Sequence, residues 1–152
     1  MKKYIFSAIA ALALSCTFVA CGDDNDDPSI SYDTTAAQGS AGTYSGTWTR
    51  TGDEGVDQFS GSVTLAAASE GNVTNVTISC PDADINATSV ANVWHSNYGY
   101  QFFNQTVSDA NTLGAAFSGR IDENNSMSMS FTISQKVGRK NYQFKYEFIG
   151  KK

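Results

Sequence analysis

From Ser126 to Ser134 every second side chain is apolar: Met127, Met129, Phe131 and Ile133 interleave with Ser126, Ser128, Ser130, Thr132 and Ser134. Side chains of a strand alternate between the two faces of a sheet, whereas a helix repeats every 3.6 residues, so this spacing requires a strand with one buried face. Tyr142, Phe144, Tyr146 and Phe148 repeat the pattern against Gln143, Lys145 and Glu147. Upstream, Phe59, Val63 and Leu65 share a face, as do Val76, Ile78 and Cys80, then Tyr98, Tyr100 and Phe102, then Leu113, Ala115, Phe117 and Ile121. A strand over Thr43 to Arg50 and a less regular one over Ile85 to Val93 bring the count to about eight, and no window carries a helical period.

Turn chemistry separates these segments. Gly52-Asp53-Glu54-Gly55, Ser69-Glu70-Gly71-Asn72, Pro81-Asp82, Asn97, Asp109-Ala110-Asn111, Asp122-Glu123-Asn124-Asn125 and Gly138-Arg139 all carry residues that tolerate tight turns. Eight one-sided antiparallel strands in such a meander make either a sandwich or a closed barrel. Short connections favour the barrel, because a sandwich needs longer crossings, and closure removes both exposed sheet edges. The expected fold is all-β: a single eight-stranded antiparallel up-and-down barrel over residues 40–152. Gly46, Gly61 and Gly119 fall inside strands, where a bend or a close backbone approach is expected.

Gly46-Thr47-Trp48 in the first strand resembles the G-x-W of the opening strand of lipocalins and related calycins. Phe117-Ser118-Gly119-Arg120-Ile121 and Tyr146-Glu147-Phe148-Ile149-Gly150-Lys151 resemble the closing strands of calycin-like domains in Bacteroidetes-type outer-membrane lipoproteins. The resemblance implies that Trp48 packs across the closed end of the barrel, with Arg120 or Lys145 as the candidate basic partner. Arg120 alternates with the apolar set of its strand and so points outward. The candidate interior and barrel-end residues are Trp48, Tyr44, Tyr100, Phe102, Phe117, Phe131, Phe144 and Phe148. Trp94, beside His95, is placed either at the barrel mouth or half-buried in a loop.

The first residues have a different character. Lys2 and Lys3 precede an apolar run from Tyr4 to Ala20, and Cys21 is followed by Asp23, Asp24, Asp26 and Asp27. A spanning helix needs about 20 apolar residues, and this run is shorter and broken by Ser7, Ser15, Cys16 and Thr17, so residues 1–20 are expected to be a signal peptide. Phe18-Val19-Ala20-Cys21 resembles a bacterial lipobox, with cleavage before Cys16 as the alternative. That resemblance implies an acylated, palmitate-bearing Cys21 anchored in the outer membrane. The acidic tract resembles the export signal that sends such lipoproteins to the cell surface. Residues 21–39 also have the composition of an extended, self-repelling linker.

Loss of Lys2 and Lys3 with the signal takes the formal charge from −5 to −7, which argues against a nucleic-acid partner. Residues 41–119 hold one base, Arg50, against seven acids, while residues 120–152 hold seven bases against three acids. Neighbouring strands with complementary charges are the expected cause. Cys16 leaves with the signal and Cys21 is acylated, so Cys80 is left without a disulfide partner and is expected to be a small buried hydrophobe.

Catalytic and metal signatures are weak. His95 is the single histidine, with no H-E-x-x-H, no cysteine cluster and no G-x-S-x-G elbow. Asp82-Ala83-Asp84-Ile85-Asn86 imitates the start of a calcium loop, yet Ala87 and Val93 stand where that loop needs Gly and Glu, which leaves a turn begun by Pro81. The expectation is a monomeric, non-catalytic surface lipoprotein without cofactor or metal. It either holds a small apolar ligand in the barrel or, if its aromatic residues fill the barrel, meets a glycan, host protein or outer-membrane partner through its loops.

Overall fold

The computed structural model describes residues 30–31, 35–69, 72–104 and 112–152. The expectations for the signal peptide, for Cys21 and its acidic tract, for Glu70-Gly71 and for the turn Asp109-Ala110-Asn111 lie outside these residues.

The strands are β1 (Ile30–Ser31), β2 (Gly42–Gly52), β3 (Gly55–Ala67), β4 (Val73–Cys80), β5 (Ile85–Ser96), β6 (Gly99–Asn104), β7 (Phe117–Ile121), β8 (Ser126–Val137) and β9 (Lys140–Lys151), with one short helix, α1 (Ala36–Ser40). From β2 to β9 each strand pairs antiparallel with the next, and β9 returns to β2 through Ser45↔Lys151 to Thr51↔Lys145. Eight strands therefore close an up-and-down barrel, with β1 added beside the end of β5 at His95 and Ser96. Closure gives the eight one-sided strands a shared interior in which each buries its apolar face.

Two-residue turns set the register of three hairpins, at Asp53-Glu54 between Gly52 and Gly55, at Asn97-Tyr98 between Ser96 and Gly99, and at Gly138-Arg139 between Val137 and Lys140. Gly99 and Gly138 have φ of 105° and 64°, a region costly for residues with a Cβ. Pro81 opens a 3-10 turn, Pro81–Ala83, as its fixed φ and missing N–H allow, and Asp84 closes it at φ 55°.

Four sequence expectations change. Tyr98 does not share the inner face with Tyr100 and Phe102: it occupies a hairpin turn and is 82% exposed. The strand expected from Leu113 begins only at Phe117, because Gly114 takes φ 67° and breaks the extended run, although Leu113 and Ala115 are still buried. The irregular β5 pattern extends to Ser96. The linker expected through residue 39 ends early, since Ala36 and Ala37 are 1% and 0% exposed and belong to the core. Five residues are too few to show a period, so α1 is invisible to pattern reading.

The chain enters at the barrel end where β2 starts and β9 finishes, and α1 stops that end. The opposite end carries the β2–β3 and β8–β9 hairpin tips. Because β2 pairs with β9, acidic Asp53, Glu54 and Asp57 stand on the hairpin next to the one bearing Lys136, Arg139, Lys140 and Lys145. The charge asymmetry of the sequence is thus an arrangement of neighbouring strands.

Candidate functional site

The barrel interior is one candidate site. Tyr44, Trp48, Phe102, Phe117, Phe131 and Phe148 all point into it and are at most 4% exposed. Trp48 packs on Phe148 and Phe131 with ring centroids at 4.9 and 5.4 Å, and Phe131 stacks on Tyr146 at 5.0 Å. β5 presents small buried side chains to the interior, Ala87, Ser89 and Ala91.

Glycines make the rest of the space. A Cβ on Gly61 would meet the Trp48 ring, one on Gly119 the Phe102 ring, and one on Gly150 the Phe148 ring. Each ring lies over a bare backbone, so these aromatics take interior space that side chains on the three glycines would otherwise fill. Gly46, the glycine before Thr47-Trp48, has a different role: a Cβ there would collide with the backbone of Ile149 and Gly150, where β2 and β9 close the barrel. The buried hydroxyls of this interior are bonded, Thr74 donating to the Ala66 carbonyl at 3.2 Å and Ser89 accepting from Asn104 at 3.1 Å. Trp48 Nε1 is buried with no hydrogen-bond partner among the described residues.

Tyr100 and Phe144, expected inside, sit at opposite ends and are only half-buried. Tyr100 faces Gly39 of α1, where a Cβ would strike its hydroxyl, and its ring lies 4.6 Å from that of His95. Tyr44 donates to the Ser40 carbonyl at 2.8 Å, and burial, with Tyr100 nearby, pushes its phenol pKa up.

Phe144 forms part of the other end. Arg50, two residues after Trp48 and on the same inner face, lies over Phe59 at 5.2 Å and Phe144 at 5.6 Å. Its Nη2 donates to Asp57 Oδ2 at 2.6 Å. The Asp57 hydrogen bond is the main reason its pKa is raised, with a further bond to Tyr146 acting the same way. The basic residue at the barrel end is therefore Arg50. Arg120 points outward, and Lys145 pairs with Glu147 at 2.8 Å. Sequence reasoning looked for a cation on a late strand and missed Arg50, although its two-residue spacing from Trp48 already placed it inside. A depression of about 420 Å³ lies over this stack, between Arg50, Glu54, Val56 and Phe144.

Trp94 is half-buried, in strand β5 and not in a loop, with its edge against the Phe103 ring at 4.9 Å. Both rings lie on the outer wall. Two further depressions open on that wall, of about 530 and 470 Å³, and both touch Ser118 and Ser130. Cys80 is fully buried, and burial pushes its thiol pKa up, which makes it a poor nucleophile. No group of three metal-ligating side chains stands together among the described residues.

Compared with family models, with curated proteins and with solved structures, the chain matches none.

Proposed function

We propose that this protein is a non-catalytic binding module, tethered to the outer membrane through Cys21 and facing the exterior, whose partner is met by the outside of a filled barrel. The observation that carries this reading is the seating of aromatic rings on glycines, Trp48 on Gly61, Phe102 on Gly119 and Phe148 on Gly150. A barrel built to hold a small molecule keeps that volume free. The calycin-like resemblance of Gly46-Thr47-Trp48 fits the same picture, with Trp48 as a core ring. The chain enters beside α1, so a tether from Cys21 would leave the two hairpin tips and the outer wall turned away from the lipid. The carboxylate on that wall, Glu147, is tied to Lys145 and is a poor candidate for acid–base work.

One observation favours a second reading, a small, largely apolar ligand inside the barrel. Trp48 Nε1 is a buried donor without a partner, and a ligand acceptor atom would satisfy it. Native mass spectrometry of the monomer purified from its own cell envelope separates the two. The filled-barrel reading expects the bare protein mass. A one-to-one adduct that disappears in Trp48→Phe establishes the internal ligand in its place.

A further inference from the structure

The two depressions on the outer wall adjoin, and together they form one trough running across β9, β8, β7 and β6. It centres on the short strand β7, Phe117–Ile121, beside the twelve-residue β8. Inside, the Phe102 ring lies over Gly119, so only bare backbone separates that ring from the trough at this point. Pairing register places Ile149, Ser128, Arg120 and Gln101 in one row across the four strands. Glu147, Ser130, Ser118 and Phe103 form the adjacent row. At about 4.8 Å between strands, each row spans roughly 14 Å.

Apart from Glu147, which pairs with Lys145, the polar groups of these rows are unused. Among the described residues, the side chains of Gln101, Ser118, Arg120, Ser128 and Ser130 make no hydrogen bond or ion pair. The three serines are short groups on paired strands, so fixing them in a complex sacrifices little side-chain freedom. Ile149, 71% exposed, provides an apolar spot at one end of the trough, and Phe103 provides another on β6. With Glu147 neutralised by Lys145, Arg120 is the one uncompensated charge in the two rows.

These features discriminate between occupants. A nucleic acid needs several cations along its path, and the trough has one. A lipid chain needs continuous apolar lining, which the serines interrupt. A protein partner needs a continuous apolar centre, whereas the apolar groups here, Ile149 on β9 and Phe103 on β6, stand at opposite ends of the two rows with serines between them. A sugar chain needs many donors and acceptors at close intervals and a few apolar contacts for its ring faces, and that combination is present.

We propose that the outer trough over β7 is an oligosaccharide-binding site, in which Arg120 and Gln101 hydrogen-bond the sugar hydroxyls, the serines flank them, and Ile149 packs under one ring face. This rests on the exterior-binding reading above and gives it a location and a ligand class. Affinity electrophoresis of the purified protein tests it, in native gels containing xylan, mannan, pectin, a β-glucan or an α-glucan. Retardation is expected in at least one gel. It should weaken about tenfold or more in Arg120→Ala, as expected for lost hydrogen bonds to a charged group. It should vanish in Ser130→Trp, which fills the trough, and persist in Val56→Ser on the distant β2–β3 hairpin. Retardation that survives both trough variants overturns the site while leaving a glycan-binding exterior intact. Migration unchanged in all five gels overturns the glycan proposal, while the bare mass or adduct in native mass spectrometry still decides the filled-barrel reading independently.

Discussion

The two ends of the barrel are closed by different means. At the entry end the stopper is backbone: α1 buries Ala36 and Ala37, Ser40 Oγ donates to the Ala37 carbonyl at 3.1 Å, and Tyr44 donates to the Ser40 carbonyl at 2.8 Å. At the hairpin end it is side chains: the Arg50–Asp57 pair over Phe59 and Phe144, with Arg50 32% and Asp57 55% exposed. A helix packed into the core cannot leave without exposing apolar surface, while an ion pair over two rings can open by rotating a few side-chain bonds. The entry end is expected to be rigid and insensitive to salt, and the hairpin end to be the weaker closure.

The largest effects should come from Phe131→Asp and from Ala37→Asp, the second of which places an unpaired carboxylate under the stopper. A loss of about 3 kcal/mol or more is expected, read as a lower denaturant midpoint, and a midpoint near wild type would show that α1 is dispensable. Carboxylates in the two phenylalanines sharpen the contrast further. Both substitutions look equally fatal from the alternation alone. Phe131→Asp, at a 4% exposed site against Trp48, should abolish folding. Phe144→Asp, half-buried beside the Arg50 guanidinium, should still fold cooperatively, because the new charge has both water and a cation within reach. Soluble, cooperatively unfolding Phe131→Asp protein would overturn the assignment of its inner face.

Arg50→Ala comes next. It removes two ring contacts and a half-exposed ion pair, and about 1–2 kcal/mol is expected, part of it sensitive to salt. Tyr44→Phe should cost about 1 kcal/mol for the lost hydrogen bond to Ser40. It should also change the alkaline behaviour of the protein. The folded phenol holds its proton above the usual pKa of about 10, so its contribution is complete below that pH and falls as pH rises toward the raised folded value. Wild type should therefore lose stability between pH 9 and roughly 11 more steeply than Tyr44→Phe, measured by denaturant midpoints at each pH. The smallest effect is expected for Lys145→Ala, where an exposed pair with Glu147 is worth at most about 0.5 kcal/mol.

Much of the fold was legible in the residues. The alternation through Met127, Met129, Phe131 and Ile133 and the paired turn residues at Gly52-Asp53-Glu54-Gly55 are local signals, and the β2–β3 and β8–β9 hairpins appear where those signals place them. Tyr98 misled because it continues the parity of Tyr100 and Phe102, yet the turn needs two residues before Gly99. The candidate interior set was largely readable for the same reason, parity, whereas its two end members, Tyr100 and Phe144, were not: how far a strand runs past the closed interior depends on its neighbours' lengths.

The sequence by itself determined which side of most strands is buried and where most of the hairpins turn, because these depend on side-chain parity and turn chemistry within a few residues. Only the tertiary structure decided that Ala36–Ser40 stoppers one end, that Arg50 roofs the other, that Trp48, Phe102 and Phe148 lie on glycines from other segments or two positions along their own strand, and that Ser118, Arg120, Ser128 and Gln101 share one trough. Most of those relations join segments far apart in the chain, and they follow from strand register and barrel closure, which no local pattern encodes.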